Sequence, residues 1–167
     1  GGFRFYPGRS TAGGAAPYGV YSWRRAWTVT GWTSGGDSDY DYALIELSSR
    51  PPIGWLSFGW SSGLSTSWYV YHKGYSGDKP FGSQWSTGDY ISNVWSYRFY
   101  TDSSDTVGGN SGGPWYRYVN GNAVVYGPHS GWNAYWYWFG AKRNRHTRIT
   151  ASKFAMLCDW IDDAAVC

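Results

Sequence analysis

Gly108-Gly109-Asn110-Ser111-Gly112-Gly113-Pro114 is the stretch on which the reading of this chain turns. A serine flanked by glycines on both sides, inside a β-rich sequence, is placed as a nucleophile needs to be. The glycines permit a tight turn that exposes the hydroxyl, and they let consecutive backbone N–H groups converge on one point. Clusters of Gly, Asn and Ser are also ordinary turn material. The run therefore needs partners elsewhere in the chain before it reads as chemistry.

Its surroundings are strand-like. Among 167 residues there are 13 Trp, 16 Tyr and 7 Phe, and 24 Gly, so aromatic rings supply 22% of the chain. Aromatic side chains suit strands, and the Gly/Ser/Asn/Asp clusters between them end strands at short intervals, so the expected class is all-β. One core cannot hold so many rings. Part of them should be exposed, as on a secreted protein or on a surface that binds sugars or peptides. The length allows one ordinary domain or two small packed ones.

Several classes are disfavoured. The net charge of +3 is small and dispersed, which does not suit a nucleic-acid binder. The densest basic stretch, Lys142-Arg143-Asn144-Arg145-His146-Thr147-Arg148, reads as a solvated loop between strands. No run approaches the ~20 apolar residues of a membrane span, and no secretory leader is visible, so any leader is expected to have been removed or left out. Neither nucleic acid nor membrane is expected as a partner. With two Cys and scattered His, no metal-ligand spacing stands out, and no metal or cofactor is expected. Cys158 and Cys167 lie nine residues apart: they could close a terminal disulfide or pair with another chain. Either fits an oxidising, extracellular compartment.

Along the chain, residues 3–6, 18–29 and 42–47 read as strands. Ser49-Arg50-Pro51-Pro52-Ile53-Gly54 then reads as a boundary, because paired prolines end a strand and start an extended connector. A second strand-rich block follows at 68–72, 91–100, 115–119, 123–127 and 148–150. Residues 151–163 read as the one helix, with Phe154, Leu157, Cys158 and Ile161 on one face.

The residues 109–114 closely resemble the nucleophile loop of chymotrypsin-fold serine peptidases. Asp41-Tyr42-Ala43-Leu44 is similar to the Asp-x-Ala-Leu segment in which that fold presents its triad aspartate at the start of an apolar strand. Asp37 and Asp39, without such a strand behind them, read as turn residues. The order Asp then Ser agrees with the family. The resemblance implies a chymotrypsin-like double β-barrel with a C-terminal helix. Residues 1–50 would be the remainder of the first barrel, 51–64 the connector, 65–150 the second barrel and 151–167 the helix and tail.

The catalytic histidine of that family precedes the aspartate, whereas His72, His129 and His146 all follow Asp41. The opening Gly1-Gly2-Phe3-Arg4-Phe5-Tyr6-Pro7-Gly8 resembles a Phe-Tyr-Pro-Gly stretch that glutamyl-endopeptidase-like enzymes place shortly after their histidine. The implied partner is an N-terminal chain or segment that carries the histidine and completes the barrel, which would otherwise leave open edges. Residues 70–80, Val70-Tyr71-His72-Lys73-Gly74-Tyr75-Ser76-Gly77-Asp78-Lys79-Pro80, resemble a loop of the same branch, in which His72 reads as an ordinary strand residue.

By the same resemblance Ser111 attacks a peptide carbonyl, the N–H groups of Gly109 and Ser111 form the oxyanion hole, and Asp41 orients the supplied histidine. Gly127-Pro128-His129-Ser130-Gly131-Trp132 is similar to the branch's Gly-Ile-His-Ser-Gly-Gly segment. His129 and Thr106 would line the pocket for an acidic P1 side chain, and the strand through Ser130 and Gly131 would pair with substrate backbone. Trp132, where a glycine is usual, would fill part of the pocket or its rim. Asp105 occupies the place of the trypsin-like aspartate that binds Arg or Lys, and is expected to point away. The expected activity is a secreted serine endopeptidase that cleaves protein or peptide substrates, after Glu rather than Arg. Two other readings stay open: an inactive peptidase homologue that acts as a binding protein, and an aromatic-rich carbohydrate-binding β-module.

Overall fold

The computed structural model describes residues 2–10, 16–133, 143–161 and 167. Three strands open the chain: β1 (Arg4–Phe5), β2 (Tyr21–Thr28) and β3 (Ala43–Leu47), antiparallel in the order β1-β2-β3. A one-turn helix α1 (Thr30–Thr33) and a 3-10 turn at Ser38–Tyr40 lie between β2 and β3. Glu46 on β3 accepts from Arg24 at 2.9 Å and from Arg25 at 2.7 Å, which ties β2 to β3 on the open face. Phe3, Trp23 and Ile45 are exposed on this small sheet.

The rest of the strands form a closed barrel. β5 (Tyr69–Gly74), β6 (Trp85–Val94), β7 (Arg98–Thr101), β8 (Pro114–Val119), β9 (Asn122–Asn133) and β10 (Arg143–Thr147) pair in the order β10-β7-β6-β5-β8-β9. β10 also pairs with β9, and closure removes the edges. A short β4 (Ser57–Phe58) adds to β9 in parallel. Period-two alternation is clearest on β5, where Val70, His72 and Gly74 are buried while Tyr69, Tyr71 and Lys73 face outward. Leu64, Val70, Ile91, Phe99, Trp115 and Tyr126 make the core. Asn120 (φ 50°) and Gly121 (φ 82°) form the two-residue turn between β8 and β9, where both residues need positive φ.

Helix α2 (Ala151–Ile161) follows β10 and packs Phe154 against Phe58, ring centroids 5.3 Å apart. Cys158 and Cys167 form a disulfide. No helix among the described residues is long and apolar enough to cross a membrane. All-β architecture with one C-terminal helix of length therefore agrees with the sequence expectation.

Three local expectations are corrected. Residues 91–100 are not one strand. β6 ends at Val94, and Trp95 N–H donates to the Arg98 carbonyl at 2.8 Å across a turn that contains neither Gly nor Pro. Without those residues the break is invisible to composition. The basic stretch 142–148 is not a solvated loop: its residues Arg143–Thr147 are β10, with Asn144, His146 and Thr147 buried. Its charge density hides an alternation in which arginines point out and smaller polar side chains point in; Lys142 lies outside the described residues. Residues 148–150 are not a strand but the link from β10 to α2. The last part of the expected helix, from residue 162, also lies outside the described residues.

Candidate active site

The nucleophile loop sits between β7 and β8, where the barrel opens. Gly109 (φ 102°) and Gly112 (φ 79°) flank Asn110 and Ser111 in conformations that side chains with a Cβ rarely adopt. A Cβ on Gly109 would lie 2.5 Å from the Tyr75 carbonyl oxygen, so glycine is also required by the close approach of the β5–β6 loop. Ser111 is exposed at the wall of a cleft of about 840 Å³, bordered by Phe5, Leu56, Phe81, Tyr116 and Tyr118.

Backbone bonds fix the loop's second half. Gly112 N–H donates to the His129 carbonyl (2.8 Å), His129 N–H donates to the Gly113 carbonyl (2.8 Å), and Gly113 N–H donates to the Asn110 carbonyl (2.9 Å). The N–H groups of Gly109 and Ser111 make no hydrogen bond among the described residues. The serine's own N–H and that of the glycine two residues before it are thus left for an oxygen ligand.

Asp41 ends the 3-10 turn at Ser38–Tyr40 and sits two residues before β3. Its carboxylate accepts from the Ser130 hydroxyl at 2.6 Å, and its carbonyl accepts from the Thr147 hydroxyl at 3.0 Å. The residue next to Ser130 is His129, whose backbone clasps the nucleophile loop. Asp41 is thereby connected to that loop through one strand. Asp37 caps the turn by accepting from Asp39 N–H (2.9 Å), while Asp39 pairs with Arg98 at 2.5 Å.

Beneath the loop the barrel buries three imidazoles. His129 is 4% exposed and places its Nδ1 3.3 Å from Nδ1 of His146. His146 Nε2 lies 3.0 Å from the Thr101 hydroxyl, and the rings of His72 and His129 are 5.6 Å apart. Burial, with His72 and Arg145 nearby, pushes the His129 imidazole down to about 4. Burial also holds His146 well below the usual range, and lowers His72. All three are therefore neutral at neutral pH in the unliganded protein. The sequence singled out His129 alone. The structure adds His72 and His146, and the signal that could have found them is inward register on β5 and β10.

The remaining expected site residues divide. Thr106 donates its hydroxyl to Asn144 Oδ1 at 2.5 Å. The Asp105 side chain is 69% exposed and pairs with Lys79 at 3.3 Å. Ser130 serves Asp41 through its side chain, and Gly131 and Trp132 continue β9, with Trp132 55% exposed.

No family model matches the chain. Curated relatives include an extracellular metalloprotease of Bacillus subtilis, 33% identical over 162 residues, which covers 92% of this chain and 47% of the relative. A glutamyl endopeptidase of Bacillus licheniformis is 32% identical over 161 residues, which covers 95% of this chain and 50% of the relative. The chain thus spans about half the length of the curated relatives it matches. Solved structures with the same fold include a Glu endopeptidase in complex with MPD (TM-score 0.80, 22% identity, 94% of this chain and 70% of that one). A thermostable serine protease, AL20, from an extremophilic microorganism superposes with TM-score 0.72 at 20% identity (96% of this chain, 74% of that one). As to the metal in the first relative's name, no group of three His, Cys, Asp or Glu side chains suited to hold a metal ion occurs among the described residues. Both nitrogens of His72 and of His146, and Nδ1 of His129, face Thr101, Pro114, Asn110 or one another, which leaves His129 Nε2 without such a partner among the described residues.

Proposed function

We infer that the chain, which has the chymotrypsin-like fold and resembles glutamyl endopeptidase, is a serine peptidase of that branch and carries the nucleophile of a secreted endopeptidase with a preference for Glu at P1. The observation that carries this reading is Ser111, exposed in a glycine turn in which the N–H groups of Gly109 and of Ser111 itself make no hydrogen bond among the described residues. The Ser111 hydroxyl attacks the scissile carbonyl and gives its proton to a histidine, and the developing oxyanion is received by Gly109 and Ser111 N–H. The histidine passes that proton to the amine as the C–N bond breaks, and the acyl group left on Ser111 is then hydrolysed by water, which releases the acid and restores the hydroxyl. Asp41, held by Ser130, keeps that histidine in the tautomer that accepts the proton.

The histidine comes from an N-terminal segment that packs as a partner against these 167 residues. What supports this is the open three-stranded sheet, with Phe3, Trp23 and Ile45 exposed where further strands of a barrel would cover them. The Glu preference is supported by His129, an imidazole under the nucleophile loop, and by the pairing of the Asp105 carboxylate with Lys79, which offsets the charge that would attract Arg or Lys. A P1 carboxylate set against the His129 ring raises its proton affinity and gains a charge-assisted hydrogen bond.

The test is labelling of the assembled protein with a serine-directed fluorophosphonate. Ser111 should be modified, and Ser111→Ala should abolish both labelling and hydrolysis of Glu-containing peptides. Labelling that persists in Ser111→Ala rejects the reading. If the assembly with its histidine-bearing segment neither labels nor cleaves, the binding-protein alternative takes its place.

A further inference from the structure

His72 lies on the inward face of β5, and its ring reaches both ends of the nucleophile loop. Nδ1 lies 3.1 Å from the Pro114 carbonyl oxygen, which ends the loop, and Nε2 lies 3.3 Å from Oδ1 of Asn110, which immediately precedes Ser111; both oxygens are acceptors, so the neutral ring donates to one of them and meets the other through packing alone. The Asn110 amide is fixed in this sense, because Nδ2 donates to Ser76 Oγ (2.6 Å) and to the Val107 carbonyl (3.1 Å), which aims Oδ1 at the ring. The far face of the imidazole stacks on Trp115, centroids 5.0 Å apart at 22°. Its Cε1 fills the space at Gly113, where an added Cβ would lie 2.5 Å away. Asn110 and His72 are both almost wholly buried.

We propose that His72 is a positioning residue for Ser111: its buried ring donates its single N–H to one of these two oxygens, packs against Trp115 and Gly113, and as a wedge between Asn110 and Pro114 sets the curvature of the turn that presents the hydroxyl and the Gly109 and Ser111 N–H groups. The backbone bonds already described fix the Gly112–Gly113 half of the loop. The side before Ser111 is held by the Asn110 N–H bond to Val107 (3.3 Å), by the Gly77–Gly108 backbone bond (2.7 Å) and by the buried Asn110 side chain. His72 packs between that side chain and the far end. This role rests on Ser111 as the nucleophile, and it differs from a part in P1 recognition, which would act through His129.

The experiment compares His72→Leu, Asn110→Ala and the double variant in the assembled enzyme. It uses the fluorophosphonate labelling rate and kcat and KM for substrates with Glu and with Leu at P1. The wedge requires labelling and kcat to fall about tenfold or more in each single variant, since a misplacement near 1 Å is enough for such losses. The loss should be equal for the two P1 residues, with KM little changed, and the double variant should be no worse than the poorer single one. Losses confined to the Glu substrate, or losses that multiply in the double variant, overturn the proposal. So does a folded His72→Leu or Asn110→Ala that labels at the parent rate. Where His72→Leu does not fold, Asn110→Ala tests the same link from the loop side with the ring in place. Failure of the nucleophile reading is recognised separately, by labelling that survives Ser111→Ala.

Discussion

The Ser130 hydroxyl donates to the Asp41 carboxylate at 2.6 Å, and this bond joins the two strand systems at the residue next to His129. Asp41 leaves a turn of the small sheet, whereas Ser130 belongs to β9 of the closed barrel. The contact therefore fixes where the carboxylate stands relative to the loop that β9 clasps.

Loss of that bond should weaken catalysis without abolishing it. A hydrogen bond to a charged group contributes about 1.5–3 kcal/mol, so Ser130→Ala should lower kcat by about tenfold. Asp41→Asn should lower it by about 10⁴, because the supplied histidine would lose the partner that sets its tautomer. Steady-state kinetics on the assembled enzyme at pH 8 decide the matter. If Asp41→Asn retains more than a tenth of the activity, the aspartate has been assigned to the wrong residue.

Specificity gives the second prediction. Peptides with Glu at P1 should be cleaved well and those with Arg poorly. His129→Leu should reduce kcat/KM for Glu by 10² or more while it leaves cleavage after an apolar residue within a few fold, because a buried carboxylate would lack its donor. The unliganded imidazole has its pKa at about 4, so Glu binding at neutral pH must either take up a proton or use the neutral ring's N–H. Proton uptake predicts that Glu cleavage weakens as pH rises while apolar cleavage does not. Strong cleavage after Arg that disappears in Asp105→Ala would mean that Asp105 turns into the pocket, against its pairing with Lys79.

What the sequence disclosed and what it hid have physical causes. The glycines around Ser111 and the apolar strand after Asp41 are local signals, and both elements form as expected. The turn at residues 95–97 was hidden because aromatic residues fill it, and β10 was hidden because its arginines outweigh its inward Asn144 and His146. The imidazole cluster draws on β5, β9 and β10, so no single window of sequence contains it. Register around a closed barrel is what brings those strands together.

Acid stability follows from the same cluster. His129 and His146 have lowered proton affinity in the fold, while the unfolded chain binds protons near 6.5. The unfolded state is then protonated first as pH falls, so stability is complete above about 6.5 and is lost as pH drops toward about 4. For His129 alone the loss is on the order of 3 kcal/mol. Chemical denaturation at intervals from pH 7 to pH 4 should show this decline, and a His129→Gln variant should show a shallower one. A midpoint that stays constant over the interval contradicts the buried neutral pair.

Lys153 continues the same direction at the alkaline end. This residue in the first turn of α2 is 4% exposed. Its ammonium donates to the carbonyls of Asp39 (2.5 Å), Arg148 (3.2 Å) and Tyr97 (3.5 Å) and lies over the rings of Tyr42, Tyr97 and Tyr40. Burial is the leading cause that lowers its pKa to about 8, with Asp39 and Asp37 opposing and Arg98 and Arg148 reinforcing the shift. The folded protein releases this proton before the unfolded chain does, so Lys153 makes stability rise with pH from about 8 toward 10.5. The gain should be measurable up to about pH 9.5, before tyrosines titrate in the unfolded chain. Urea denaturation at pH 7.5, 8.5 and 9.5 should give increasing midpoints, and Lys153→Met should remove the slope. Midpoints that fall over this range, or a slope that survives the substitution, would show that the charged lysine is not disfavoured in the fold.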